Sequence, residues 1–495
     1  MAHQPSEELK EFRISSTMKR NFGIMAGLGI VLFVVGLILS NVTLPGEKHG
    51  GGHDAAPAGE EHHDAGGGGH EEHHSDAGTL IQYASADKAV GHEEEASHSG
   101  HGGHGEESDH LAENGTWRRA FWHQDQLIEA HHSREVTTGS KIGVSLLIGA
   151  YFWMAIALFG VFFIAVGYVA NAGWYVPTKR VLENYYRFLP IAAVVLLITF
   201  FAFGSQIYDW VSIEVGLDSL IDGKRGFLNT VFILGTGGLI VGVWAALGHI
   251  IKGKSLAEDK EGGLVNHKKS IRLSAAFLPV FGVGFSAFSF LWLMSVDPHW
   301  FSTIFAVYCF AGLFVSGVTV TMFITTNLKE KGFLPSLGED QLHDLGKFMF
   351  AFSVFWAYIW ISQYLLIWYA NIPEETIYYW NRFQDYKFLF ALNAIINFIF
   401  PFIALMTRDS KRKIDSLRNV GRVMMFGRFL DVFLLLVPGV LGAGGGFSIM
   451  LMAAGAVLFF GGIFFFVVYK GFEGAPTETR NHPYFEESLH HSTGV

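Results

Sequence analysis

A short polar stretch between two long apolar runs carries the residues best suited to chemistry. Asp297, Pro298, His299 and Trp300 stand together in it, inside the segment 293–302. Proline cannot continue a helical hydrogen-bond ladder and disfavours the helical conformation in the residue before it, so the first run must end at Asp297. A carboxylate and an imidazole at the edge of a membrane are costly there and favour a functional role. The alternative is an interfacial turn anchored by the tryptophan.

Two other apolar runs end in similar polar groups. Gln206, Tyr208 and Asp209 end one of them, and Gln363 and Tyr364 lie near the end of the other. A quinone headgroup needs donors and acceptors, groups near water that exchange its two protons, and aromatic walls for its tail. We therefore predict a quinone site from these five residues with the carboxylate and imidazole described above. The alternative is an ordinary aromatic belt at the membrane interface.

Four polar residues fall deeper in apolar runs: Asn393, Asn397, Arg428 and Asp431. The arginine and the aspartate are three residues apart, so they share a helix face and can neutralise each other. They are either a structural pair or part of a proton path, because ionisable residues inside a bundle commonly mark ion pathways. At the opposite membrane side, the candidates for the rest of such a path, or else for hydrated helix ends, are His249, His343 and Asp344.

The composition identifies the class of protein. The 495-residue chain is 50% hydrophobic and 16% charged, with a mean hydropathy of +0.31, which predicts a polytopic membrane protein. Its single cysteine, Cys309, excludes a disulfide framework and a cluster held by cysteine thiolates. The apolar runs lack the central histidines that a b-type haem needs, so we expect no haem and no iron–sulfur cluster in this chain.

We predict an all-α integral membrane protein with about ten transmembrane helices, arranged as two four-helix bundles plus flanking helices. The predicted order is a polar arm (1–21), a first transmembrane helix (22–44), a long loop (45–141), a nine-helix body (142–470) and a tail (471–495). The first apolar run is too long for a signal peptide and no convincing cleavage site follows it, so we expect it to be retained.

The long loop is rich in glycine, histidine and acidic residues. Between 45 and 141 there are about nineteen acidic and about six basic side chains, so the acidity of a chain with net charge −10 belongs to this loop. Its composition predicts a disordered linker. The alternative, a zinc or copper site, is weakened because no ligand spacing recurs. The end of the loop, 117–132, predicts a helix lying on the membrane surface.

The basic residues predict the orientation. They concentrate in alternate short connections, near 179–187, 252–269, 329–331 and 408–418. Lys and Arg favour the cytoplasmic side of a membrane. Both termini should therefore be cytoplasmic, with the tip at Asp297 and the acidic loop outside.

Three segments together resemble a known family. They are 292–303, 362–375, and Asn171–Trp174 followed by Arg180 and Glu183. They are similar to the NrfD/PsrC-like membrane subunits, and more closely to the ActF-type subunit (quinone-binding subunit 2) of bacterial alternative complex III. The resemblance covers about residues 110–470.

This resemblance implies a respiratory complex in the bacterial cytoplasmic membrane that transfers electrons from menaquinol or ubiquinol to cytochrome c or an oxidase. The implied partners are a paralogous NrfD-like membrane subunit, an iron–sulfur subunit, c-type haem subunits and small membrane-anchor subunits, together with the lipid bilayer and no nucleic acid. In such complexes the ActC-type paralogue is expected to hold quinol beside an iron–sulfur cluster, whereas the ActF-type subunit is proposed to carry protons.

Two other functions stay open. The chain can be a scaffold whose polar residues only hold helices together and dock partners. It can also be a stand-alone ion or solute transporter, although it lacks clear paired broken helices, the one suggestive break being Gly442–Gly446.

Overall fold

The structure is a computed structural model that describes residues 11–41, 136–479 and 481–492. Within these ranges the chain consists of helices joined by short connections and forms no strand. The same ranges contain ten helices long and apolar enough to cross a membrane, as predicted. They are α1 (Ser16–Asn41), α2 (Thr138–Val169), α3 (Val176–Ile207), α4 (Thr230–Glu261), α5 (Val265–Val296), α6 (Phe305–Glu330), α7 (Glu339–Ala370), α8 (Lys387–Ala404), α9 (Ile414–Gly444) and α10 (Phe447–Lys470).

Several boundaries differ from the predicted ones. Helix α1 begins at Ser16 rather than residue 22, and α2 begins at Thr138 rather than residue 142. Polar first turns account for both differences, because they carry no hydropathy signal yet still form helix. Thr137 caps α2 by accepting a hydrogen bond from the Ser140 N–H at 3.0 Å. The predicted surface helix at 117–132 and the His-rich part of the loop lie outside the described residues.

Helix α2 is the centre of the body. In its most apolar window 83% of the residues are buried, and it contacts α3, α5, α6, α9 and α10. In contrast, α1 is only 11% buried and packs mainly on α10. Gly29 and Gly455 allow this close crossing, since a Cβ on Gly29 would lie 2.6 Å from the Gly455 carbonyl oxygen. Small residues commonly permit such approaches between membrane helices.

The two ends of the helix assembly are distinct. At one end, which we call the tail end, the residues before α1 meet those after α10, and the Ile14 N–H donates to Glu473 at 3.2 Å. At the opposite end, the tip end, Thr138 donates to Asn41 at 3.1 Å. Asp297 follows α5 at the tip end. Both described chain ends therefore lie at the end away from this aspartate.

An amphipathic helix, Pro373–Asp385, lies at the tip end between α7 and α8. Asn371 ends α7 in the left-handed conformation (φ 50°), and Pro373 occupies the first turn of the new helix, where its missing N–H costs nothing. This helix buries Tyr378, Tyr379 and Arg382 against the body. It was not predicted as a separate element, and it brings a charged residue into the candidate site.

Candidate functional site

Asp431 is the centre of a buried polar cluster. It is 2% exposed and lies well inside α9. Its carboxylate accepts hydrogen bonds from the Tyr308 hydroxyl, from the Asn393 amide at 3.1 Å and from the Arg428 guanidinium at 2.6 Å. Three helices, α6, α8 and α9, thus converge on one carboxylate. A carboxylate buried at this depth is tolerated because it is paired and hydrogen-bonded.

Arg428 is held in the same cluster but only partly satisfied. One guanidinium nitrogen binds Asp431, whereas Nε and Nη1 have no hydrogen-bond partner. The guanidinium lies 5.4 Å from the centre of the Trp356 ring, in cation–π range. Gly312 on α6 makes room for it, because a Cβ there would lie 2.2 Å from Nη2. The two free nitrogens can donate to a water.

Two asparagines connect α8 to this cluster. Asn397 donates to the Asn393 side chain at 2.6 Å and to the Gly427 carbonyl at 2.9 Å. Asn397 lies in a π-helical turn, Ile395–Ile399. Such turns are frequent at functional sites because they shift side chains away from the regular helical positions. The asparagine pair fixes the amide that donates to Asp431.

Arg382 of the amphipathic helix is the second buried cation. It is 3% exposed and donates to the carbonyls of Leu434 at 3.1 Å, Leu435 at 3.3 Å and Tyr378 at 2.7 Å. Pro438 explains the first of these contacts. Proline has no N–H, so the carbonyl four residues before it lacks its helical donor. The guanidinium supplies that donor.

Asp297 lies beside this arginine. Its Oδ2 atom is 3.6 Å from Arg382 Nη2, and its side chain is 15% exposed. Gly439 on α9 leaves room for this carboxylate, since a Cβ at Gly439 would lie 2.7 Å from Asp297 Oδ2. The Trp300 ring stacks on Tyr378 at 3.8 Å, and Arg382 lies 3.4 Å from the centre of the same Tyr378 ring. Aromatic packing therefore fixes the ion pair where the tip meets the body.

A small cavity lies between Arg382 and Tyr308. Its volume is ≈ 20 Å³ and its lining includes Tyr308, Gln363, Tyr379, Arg382 and Asn393. About one water fits in such a volume, and these polar side chains can bind it. Tyr308 also binds Asp431, and Arg382 also faces Asp297. Arg382 and Tyr308, which both line this cavity, therefore lie between Asp297 at the tip and Asp431 inside α9.

The phenols at this cavity stay protonated at neutral pH. Burial raises the pKa of Tyr378, and the nearby Arg382 offsets only part of this increase. Burial also raises the pKa of Tyr379. A protonated hydroxyl both donates and accepts a hydrogen bond. Such groups can relay a proton without holding a charge.

The structure brings together only part of the predicted quinone site. Asp297 and Gln363 belong to the set described above, and Tyr364 packs edge-on against Tyr379 at 5.1 Å. His299 is half-exposed and contacts Asp218 at 2.5 Å, because the loop after α3 folds over it. The remaining three residues sit at the end of α3, where Gln206 accepts from Thr137 at 2.9 Å, Tyr208 donates to the Trp292 carbonyl at 3.0 Å and Asp209 starts a short helix.

The residues predicted for the opposite half of a proton path lie apart from the Asp431 cluster. His249 contacts Tyr186 at 2.9 Å on an exposed face. Asp344 contacts His491 of the tail at 2.6 Å and Lys347 at 2.5 Å. His343 is buried beside it, and its Nδ1 atom has no hydrogen-bond partner. The contacts of His343 and Asp344 are those of a packed helix start at the tail end, whereas His249 lies inside α4.

Sequence reasoning missed Tyr308, Arg382 and Tyr379. The tyrosines are uncharged members of aromatic runs, and Arg382 stands in a short connection between two apolar runs. One signal was available, namely the proline inside α9, which leaves a carbonyl in need of a donor.

No protein-family model matches the chain, and no curated protein matches it.

Proposed function

We propose that the chain is a membrane subunit of a respiratory quinol:electron acceptor oxidoreductase complex and that its own task is proton transfer. The observation that carries the second part is the polar set between Asp297 and Asp431. Membership of the complex rests on the resemblance to ActF-type subunits. The bilayer is the bacterial cytoplasmic membrane, with the tip end outside and the tail end in the cytoplasm.

The path has three steps. Asp297 exchanges protons with water at the tip. A water in the small cavity, bound by Arg382 and Tyr308, carries the proton inward. Asp431 receives it through the Tyr308 hydroxyl, and Arg428 stabilises the ionised carboxylate between transfers. Asp431 lies eight residues before Gly439 in α9, which is about 12 Å along the helix. The set therefore covers roughly the outer half of a 30 Å hydrocarbon core.

The small volume of the cavity favours proton transfer rather than quinol binding at this place. A space of ≈ 20 Å³ holds about one water, whereas ligand pockets usually measure hundreds of cubic ångströms. Quinol oxidation itself would then take place in a partner subunit. This division matches what the resemblance implies for the ActF-type subunit.

Quinol binding by this chain is the second candidate, at another place. A groove of ≈ 400 Å³ runs along α2, α6 and α7 and is lined mainly by phenylalanines, with Trp174 and Tyr175 at one end. Its aromatic walls suit an isoprenoid tail. Retention of a photoreactive quinone by these helices would support this candidate.

The helix contacts support the two-bundle arrangement. Helices α2, α3, α4 and α5 contact one another in a ring, and so do α6, α7, α8 and α9. The two rings meet where α2 and α5 touch α6 and α9. The proposed path runs from Asp297, after α5, into the second ring, and α1 and α10 flank the first.

The test begins with gentle purification through this chain. We expect subunits with c-type haem and iron–sulfur signals to co-purify, and these signals to change on adding quinol. A chain that purifies alone and colourless under several detergents would contradict membership of the complex. Vesicle transport assays would then examine the transporter alternative.

Two variants at the tip then test the path. Asp297→Asn should lower proton release per electron, because it removes the carboxylate that faces Arg382. His299→Gln is the matched control, since His299 pairs with Asp218 instead. Equal proton release in both variants and the unaltered complex would refute the role of Asp297. A scaffold role predicts that activity falls only as far as assembly does.

A further inference from the structure

A second buried charge cluster lies at the tail end, away from the proposed path. Lys179 and Arg180 of α3 pair there with Glu183, Glu258 and Asp259, and the Arg180 guanidinium contacts both Glu183 and Asp259. All five side chains are at most 10% exposed. Two cations pair directly with these three carboxylates, and the buried Lys252 lies in electrostatic range of Glu183.

Two histidines complete this cluster. His267 belongs to the first turns of α5, and His482 belongs to the tail after α10; they are 4% and 5% exposed. The Nε2 atoms of both rings have no hydrogen-bond partner. Buried imidazole nitrogens without a partner are rare in folded proteins. Both rings lie against one another, with centres 5.0 Å apart.

We propose that Glu258, His267 and His482 form a zinc site that fastens the tail to the α4–α5 hairpin. Each of the three offers a ligand atom, and these atoms lie within 4.8 Å of one another. Two imidazoles and one carboxylate are a donor set that Zn²⁺ takes in proteins. This proposal is independent of the proposed function.

The available lone pairs fit this assignment. Glu258 Oε2 has only long contacts, 3.4 Å to the Tyr168 hydroxyl and 3.8 Å to Lys179, so it is free to turn towards a metal. His482 Nε2 is buried without a hydrogen-bond partner, so that ring can offer this nitrogen as a metal ligand.

A small closing movement would complete the site. Ligand atoms at 2.0–2.2 Å from a tetrahedral Zn²⁺ are about 3.4 Å apart, so groups that now lie within 4.8 Å of one another must approach by at most about 1.4 Å. His482 Nδ1 accepts a hydrogen bond from the Tyr484 N–H at 3.3 Å. Binding through Nε2 places the proton on Nδ1 and replaces this long contact. His267 Nδ1 already lies 3.1 Å from Glu258 Oε1, and a zinc ion between these two groups would replace the hydrogen bond that they share.

The tail already follows the route that such a site would fix. Asn481 donates to the Asp259 carbonyl at 2.6 Å, and Ser336 donates to Glu478 at 2.6 Å. The tail therefore crosses from the α6–α7 connection to the α4 end. A metal ion at His482 would hold the tail at that crossing.

The test is hydrogen–deuterium exchange of the tail in the full chain, stripped of metal by a chelator and then given Zn²⁺ or Mg²⁺. Zn²⁺ at ten times its Kd should slow exchange of the 481–489 amides about tenfold, because the metal must leave before the tail opens. Mg²⁺ should have no effect. Reading this peptide keeps the site distinct from the histidines of the long loop.

Variants complete the test. His267→Gln should abolish the zinc effect on the tail even though it lies on another helix, whereas His249→Gln and His491→Gln should retain it. His482→Gln removes the ligand on the tail itself. If this variant does not fold, the His267→Gln result and the unaltered chain still decide the question. Zinc-independent exchange in the unaltered chain, or a zinc effect that persists in His267→Gln, would overturn the proposal.

Discussion

Arg382 Nε lies 3.1 Å from the carbonyl oxygen of Leu434, the carbonyl that Pro438 leaves without a helical donor. This contact turns a break in α9 into a binding site for a guanidinium from another element. The same guanidinium faces Asp297 and lines the small cavity. One proline thus positions the charge that connects the tip to the inner cluster.

Replacement of Arg382 tests this connection. Arg382→Gln removes donors from two α9 carbonyls and leaves Asp297 without its cation, so it should reduce stability by about 3–5 kcal/mol. Arg225→Gln at the same end is the control. Its partner Asp222 is partly exposed, and such surface pairs contribute about 0–1 kcal/mol. Unfolding in a denaturing detergent measures both, and equal losses would contradict the buried role of Arg382.

A methyl group on α6 tests the position of Arg428. Gly312→Ala places a Cβ 2.2 Å from Arg428 Nη2, so the guanidinium must move away from Asp431. We expect a loss of about 1–3 kcal/mol, as for other overpacked sites, together with slower proton release. Gly282→Ala in α5 is the control, since its Cβ meets no atom within 4 Å. Comparable behaviour of the two variants would show that Gly312 is not a contact of the cation.

Removing one hydroxyl tests the link to the cavity. Tyr308→Phe deletes the donor to Asp431 with almost no change in shape. A lost hydrogen bond to a buried charge costs about 1.5–3 kcal/mol, and proton release should slow because the cavity water no longer reaches the carboxylate. Tyr358→Phe, at a ring that is 64% exposed, should change neither property. Normal proton release by Tyr308→Phe would remove this hydroxyl from the path.

The loop over the tip should loosen in acid. Burial alone would raise the pKa of Asp218, but hydrogen bonds from the Ile221 and Leu220 N–H groups and the contact with His299 lower it below the usual carboxyl value. Because the folded-state pKa is depressed, this stabilisation is present above the ordinary pKa and disappears as the pH falls through the lowered value. Protection of the 213–224 amides, measured as exchange relative to the intrinsic rate at each pH, should therefore fall at low pH, and Asp218→Asn should remove that dependence. Exchange with the same pH response in the variant would assign it to another group.

The sequence predicted the elements of this fold better than their contacts. Ten apolar runs are visible because hydropathy is a local property, and the three-residue spacing of Arg428 and Asp431 places both on one face of α9. Pro298 likewise indicates where α5 ends. The polar first turns of α1 and α2 were missed because they resemble their neighbouring connections in composition.

The partners of these groups could not be found in the same way. Tyr308 reaches Asp431 from α6, Arg382 reaches Leu434 from a separate amphipathic helix, and His482 reaches His267 from the tail. Each contact joins residues at least 50 positions apart. Pairing across such distances depends on tertiary packing, which no local pattern records.

Proton release per electron in the assembled complex with Asp431→Asn is the most direct test of the proposed path. We expect this ratio to fall well below that of the unaltered complex while the subunits stay assembled, because an amide cannot take up and release the proton. Asp415→Asn, at an exposed position in the first turn of the same helix, should leave the ratio unchanged. An unaltered ratio in Asp431→Asn, with assembly intact, would contradict the claim that protons pass through this residue.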